Sequence, residues 1–115
     1  MPSLVDGIHV VNTETIPGFV IQDQLGVVSG STVRAKNVVR DISQMLKNIV
    51  GGELHQYTNL LIESRNEAFS RMLEDAKARG ANGVVNLRFA TSAVSPGAAE
   101  LFCYGTAVIV ELLES

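Results

Sequence analysis

The sequence predicts a two-layer α/β (α+β) domain of order β-β-α-α-β-β, with a mostly antiparallel sheet carrying two helices on one face. Three observations predict it. Apolar residues recur at helical spacing over two adjacent segments, Val38 to Val50 and Leu54 to Ala76. On either side, β-branched and aromatic residues alternate as strands do. Glycine-rich punctuation, Gly51-Gly52 and Gly80-Ala81-Asn82-Gly83, separates these segments. At 115 residues the chain reads as a single domain, residues 1–115, large enough to bury a core without covalent staples.

The elements follow in order. Ile8 to Asn12 is a short β-branched strand ending at a Thr-Glu-Thr turn. Pro17-Gly18 precedes a second strand, Phe19 to Gly30, in which Phe19, Ile21, Leu25 and Val27 are expected on one face and Gly26 at a bulge. The period then changes. Val38, Val39, Ile42, Met45, Leu46, Ile49 and Val50 form one helical stripe, with Asn37 placed to cap its start and Gly51-Gly52 to stop it. A longer helix is expected from about Leu54 to Arg79. Its stripe is Leu54, Tyr57, Leu61, Ala68, Met72 and Ala76, widened by Phe69 and Leu73. Its outer face carries Glu67–Arg71 and Asp75–Arg79, each worth a few tenths of a kcal/mol. Arg65 interrupts the stripe.

Gly80 follows Lys77 and Arg79, cations suited to a helix C-terminus, so it is expected to end the helix in the left-handed conformation. A phosphate cradle would place its glycines before a helix; these come after one. The next strand alternates, with Val85, Leu87 and Phe89 expected inward and Asn86 and Arg88 outward. Ser95 to Ala98 turns the chain into a last strand, Leu101 to Leu112, apolar on both faces. Cys103, Ala107 and Ile109 line one face, and Phe102, Tyr104, Val108 and Val110 the other. Two helices can cover only one face of a four-stranded sheet. The other is expected to meet another copy of the chain, making a homo-oligomer.

Composition excludes several function classes. Net charge is −3, and the one basic-leaning stretch, Arg34, Lys36, Arg40 and Lys47, lacks interleaved aromatics, so nucleic acid is not an expected partner. One cysteine, Cys103, allows neither an internal disulfide nor a thiolate zinc cage within one subunit. The N-terminal stretch lacks the basic start and apolar run of a signal peptide. The greasiest run, Leu101 to Leu113, is too short to span a bilayer and includes Glu111. No membrane partner is expected, and the expected location is cytoplasmic.

Few residues suggest chemistry. Soft metals favour thiolates and imidazoles. Here Cys103 sits inside a strand while His9 and His55 stand alone, so no metal site and no cofactor are expected. His55 (beside Glu53) and Cys103 are the weak candidates. Arg65 with Tyr57, Arg40 and Asp41 forms the other set. Tyr57 and Arg65 share a helix face two turns apart, and Arg40-Asp41 open the neighbouring helix. This set is read first as a structural ion pair, Arg65 with Asp41 or Glu100, and second as a pocket for a small anion. No catalytic residue is assigned, because Ser29, Ser31 and Thr32 lie near no evident base.

Several short motifs occur in a fixed order: Val28-Ser29-Gly30, Asn37 with Arg40-Asp41, Val50-Gly51-Gly52, Tyr57, Arg65 with Ala68, Gly80-Ala81-Asn82 before Val84-Val85, and Gly105-Thr106-Ala107-Val108. Together they resemble the YbjQ-like family, also called a heavy-metal-binding domain family. The resemblance implies a two-layer α/β subunit assembled into a homopentameric ring, and the family has no characterised function. The expected role is thus a non-catalytic homo-oligomeric binding or scaffold protein, for a small ligand or a metal ion. The alternative is an enzyme acting on a small anionic substrate at an inter-subunit site built from Arg40, Asp41, Tyr57 and Arg65.

Overall fold

Asp6 and Gly7 both take positive φ, 50° and 83°, and turn the chain tightly back on itself. This two-residue Asp-Gly connection suits the twist of an antiparallel hairpin. It joins β1 (Ser3–Val5) to β2 (Ile8–Val10). The computed structural model describes residues 3–34, 52–95 and 98–114. After β2 come β3 (Phe19–Arg34), α1 (Gly52–Ala78), β4 (Gly83–Ser95) and β5 (Ala98–Leu112). The five strands form one sheet of order β1-β2-β4-β5-β3, antiparallel except where β2 runs parallel to β4. The α+β class and the mostly antiparallel sheet agree with the sequence expectation. The element count does not: the Asp-Gly hairpin adds a fifth strand, and the described residues contain one helix. The expected helix Val38–Val50 lies outside them.

Helix α1 stops as its sequence requires. Gly80 has φ +80°, its N–H bonds to the carbonyl of Lys77 at 3.0 Å, and the Ala81 N–H reaches back to Ala76 at 3.1 Å. These are the two bonds of a Schellman stop, which satisfy carbonyls that a bare helix end would leave open. The Gly80 segment is therefore a helix terminus and not a ligand loop.

One face of α1 packs on the sheet. Ala68, Met72, Leu73 and Ala76 meet Ile8 and Val10 of β2, Val28 of β3, Val84 of β4, and Cys103 and Ala107 of β5. The helix sits close because β3 offers Gly30 beneath it. A Cβ there would collide with the backbone of Ala68 and Met72. At the adjacent turn, the buried Thr32 hydroxyl donates to the Ser64 carbonyl at 3.2 Å. Ser64 fills the buried position that the sequence stripe left between Leu61 and Ala68.

Shifts in strand pairing correct the expected strand faces. In β3 the pairing with β5 shifts between Ile21 and Asp23 and again between Gln24 and Gly26, where Gly26 takes φ +98°. Phe19, Ile21 and Val27 remain on the face away from α1, opposite Leu112, Val110 and Thr106, while Leu25 packs against the helix-side core. In β4 the pairing shifts between Val85 and Arg88, around Asn86 at φ +56°. Val85 therefore turns to the far face, while Leu87 packs against the helix-side core and Phe89 pairs with Cys103. The unbroken inward series Val85–Leu87–Phe89 does not form.

The far face is covered in part by the chain itself. Ile16, in the segment between β2 and β3, packs with Val85, Val108 and Val110, supported by Val11 and Phe19. The Leu87 N–H bonds to Val11 and the Asn86 N–H to Thr13, tying that segment to the β4 bulge. Val108 and Val110 are thus buried without a second copy, contrary to expectation. The chain remains long and thin, 57 × 29 × 20 Å with a radius of gyration of 17.2 Å. A compact domain of this length would have about 13 Å.

Candidate functional site

Of the sequence candidates, Arg65 and Cys103 are the ones whose side chains are described. Arg40 and Asp41 lie outside the described residues. His55 and Tyr57 fall in the first two turns of α1, where only the helical backbone is described. Arg65 is exposed on α1, one position round from buried Ser64. Among the described residues it has no ion-pair partner, so the expected pair with Glu100 is not formed within the chain.

Cys103 is fully buried between β3, β4 and α1. Burial pushes its thiol pKa up from 9.0 to about 11, because the thiolate would lose its water. The protonated, enclosed sulfur is a poor soft-metal ligand. Among the described residues no three His, Cys, Asp or Glu side chains are grouped to hold a metal ion.

The structure instead shows two features that sequence reasoning did not assemble. The first lies along the open edge of β3, where alternate residues turn their N–H and C=O groups away from β5. Side chains of α1 satisfy several of them. Arg71 donates to the Ser31 carbonyl and to Glu67, the latter at 2.6 Å. Arg79 donates to the Leu25 carbonyl at 3.0 Å, and the Asp75 carboxylate accepts from the Ser29 N–H at 3.4 Å. Asp75 and Arg79 are themselves paired at 3.2 Å.

The second feature is the uncovered part of the far face. Strand pairing aligns Ser31, Phe102 and Ala90 in one row, Ser29, Tyr104 and Arg88 in the next, and Val27, Thr106 and Val85 in the third. The Phe102 and Tyr104 rings stack with centroids 5.7 Å apart. Val27 is 66% exposed and Tyr104 37%. The Arg88 guanidinium donates to the carbonyls of Asn12 and Leu87, at 2.8 and 2.9 Å, holding its charge beside the loop.

The architecture defines a small α+β domain with α1 packed on one face of its sheet, side chains of α1 capping part of the β3 edge, and exposed Val27 and Tyr104 on the opposite face. Comparison with known proteins gives its family. A family described as "Putative heavy-metal-binding" matches residues 8–111, and the chain belongs to this YbjQ-like family. A "UPF0145 protein" of Hahella chejuensis is 60% identical over 102 residues, covering 89% of this chain and 98% of that one. A UPF0145 protein of Thermococcus kodakarensis is 52% identical over 107 residues, covering 93% and 95%. A crystal structure from Pediococcus pentosaceus, of a protein of unknown function in the DUF74 family, superimposes with a TM-score of 0.59 at 16% identity. It covers 92% of this chain and 100% of that one, a likeness of fold alone. No helix among the described residues is long and apolar enough to cross a membrane.

Proposed function

We propose that this protein is a non-catalytic, homo-oligomeric binding or scaffold protein of the cytoplasm, whose copies shield one another's sheets. The observation that carries this reading is surplus surface. The accessible area is 7243 Å², whereas a globular monomer of 12.3 kDa exposes about 6,100 Å². The difference, about 1,100 Å², exceeds one partner's share of a standard interface, roughly 800 Å². The elongated shape supports the same reading. A ring of five rests on the family resemblance.

A small ligand or metal ion belongs, on this reading, between subunits. The metal in the family description would then need ligands other than the enclosed sulfur of Cys103. Light scattering across a dilution series tests the assembly. A constant mass of several chains is expected. A mass of one chain throughout would overturn the reading, and a stable multiple other than five would overturn only the count.

A further inference from the structure

We infer that Asn82-Gly83 is a modification site gated by the fold: Asn82 loses its side-chain amide through a succinimide when the start of β4 parts from the end of β5, and keeps it while they stay paired. The inference goes beyond the oligomeric reading and does not depend on it.

Asn82 is the one asparagine of the chain that glycine follows. Glycine has no Cβ to shield its amide nitrogen from the preceding side chain, so the dipeptide is open to internal attack in a free chain. Water is the one co-reactant needed. The Gly83 nitrogen gives its proton to solvent base and bonds to Asn82 Cγ, while the Cγ–Nδ2 bond breaks and Nδ2 leaves as ammonia. Water then adds to either carbonyl of the five-membered ring and opens it, leaving aspartate or isoaspartate.

The fold holds the groups that this ring closure must move. Asn82 Oδ1 accepts from the Val110 N–H at 2.8 Å, and Nδ2 donates to the Val110 carbonyl at 3.0 Å. The Asn82 carbonyl accepts from the His9 N–H at 2.9 Å, and the Asn82 N–H donates to Val108 at 3.2 Å, so its backbone is pinned to β2 and β5 together. Gly83, which supplies the attacking nitrogen, is buried and pairs with His9 and Val108. Side-chain atoms of Val108 and Ile16 lie 3.0 and 3.1 Å from where its Cβ would be. Turning Cγ toward that nitrogen breaks both bonds to Val110, a buried residue whose N–H and C=O would then lack these partners. Ring closure therefore proceeds from the locally opened state, slowed by the small fraction of chains that are open.

The product records the opening. Either acid sets a carboxylate oxygen against the Val110 carbonyl in place of the donor Nδ2. Isoaspartate also adds one carbon to the main chain just before β4, which displaces Gly83 and Val84 from His9 and Val10. Opened chains are thus converted into chains that close poorly.

Peptide mapping by mass spectrometry, on full-length protein at mildly alkaline pH, tests this. Conversion of Asn82 to the acid should be at least tenfold slower in buffer than in guanidinium chloride. Gly83→Ala should slow it at least tenfold in the denaturant, where the effect of that substitution on folding does not enter. After the denaturant is removed, converted chains should be several-fold depleted from the refolded fraction. Equal rates in buffer and denaturant would overturn the gate. No conversion in denaturant, or conversion indifferent to Gly83→Ala, would overturn the site. Equal shares of converted chains in the refolded and misfolded fractions would overturn the claim that the product impairs closure.

Discussion

The Arg71 guanidinium bridges the Ser31 carbonyl of β3 and the Glu67 carboxylate of its own helix, so a residue of α1 caps the sheet edge. Arg79 does the same at Leu25 while paired with Asp75. An exposed ion pair is worth at most about 1 kcal/mol, so stability is the lesser part of this arrangement. Its larger effect is to occupy backbone groups that would otherwise recruit another strand.

The first prediction follows from that division. Arg71→Ala combined with Arg79→Ala should lower the melting temperature by only a few degrees. It should also markedly shorten the lag before thioflavin-positive aggregates form under agitation. An unchanged lag would show that these arginines do not guard the edge.

Much of this frame was legible in the chain, and the failures have identifiable causes. The Schellman stop at Gly80 and the bulge at Gly26 followed from local chemistry, and both formed. The i,i+4 pairs Glu67–Arg71 and Asp75–Arg79 also formed, but their reach to β3 depends on where the helix lies over the sheet. Asp6-Gly7 carried a hairpin signal that the short flanks of β1 and β2 obscured. The bulge at Asn86 left no trace in a strictly alternating run. Asparagine's tolerance of positive φ was the one available hint. Arg65 was placed in the stripe because i+3 and i+4 spacings leave the facing residue uncertain by one, and Ser64 took the buried place. The cover supplied by Ile16 comes from tertiary folding, which periodicity does not encode. Of the candidate site, Arg40, Asp41 and the side chains of His55 and Tyr57 lie beyond the described structure.

Gly30 is the tightest point between the layers. A methyl group there would meet the Ala68 carbonyl and the Met72 amide, which are backbone atoms and cannot rotate aside. Gly30→Ala should therefore cost at least the 1–3 kcal/mol typical of overpacking, read as a lower denaturation midpoint. Gly80→Ala has open space and suffers only from its φ of +80°, about 1–2 kcal/mol. If Gly80→Ala proves the more damaging, close helix approach at Gly30 is not what fixes the layer spacing.

Asn82 works as a piece of strand. Its side-chain oxygen accepts from the Val110 N–H at 2.8 Å and its amide donates to the Val110 carbonyl at 3.0 Å. Asn82→Asp keeps the shape but turns the donor into an anion facing a carbonyl, a loss of about 1–3 kcal/mol near neutral pH. Below about pH 4 the carboxyl regains a proton to donate, so the deficit against the parent protein should shrink. A pH-independent deficit in chemical denaturation would contradict this bonding.

The buried thiol makes the last prediction. In the unfolded chain Cys103 ionises around 9.0, whereas in the fold it holds its proton to about 11. Between those values the unfolded state binds fewer protons, so stability falls as pH rises through that window and is unaffected below it. The loss should reach at most about 2–3 kcal/mol, and Cys103→Ala should remove this part of the slope. The same enclosure bears on the heavy-metal description of the family. At neutral pH a thiol-specific disulfide reagent should leave the folded protein unmodified and titrate one group per chain after denaturation. Adding cadmium to the folded protein should likewise produce no thiolate charge-transfer band. A band of one thiolate per chain, absent in Cys103→Ala, would mean that the core opens to the metal and that Cys103 is a ligand after all.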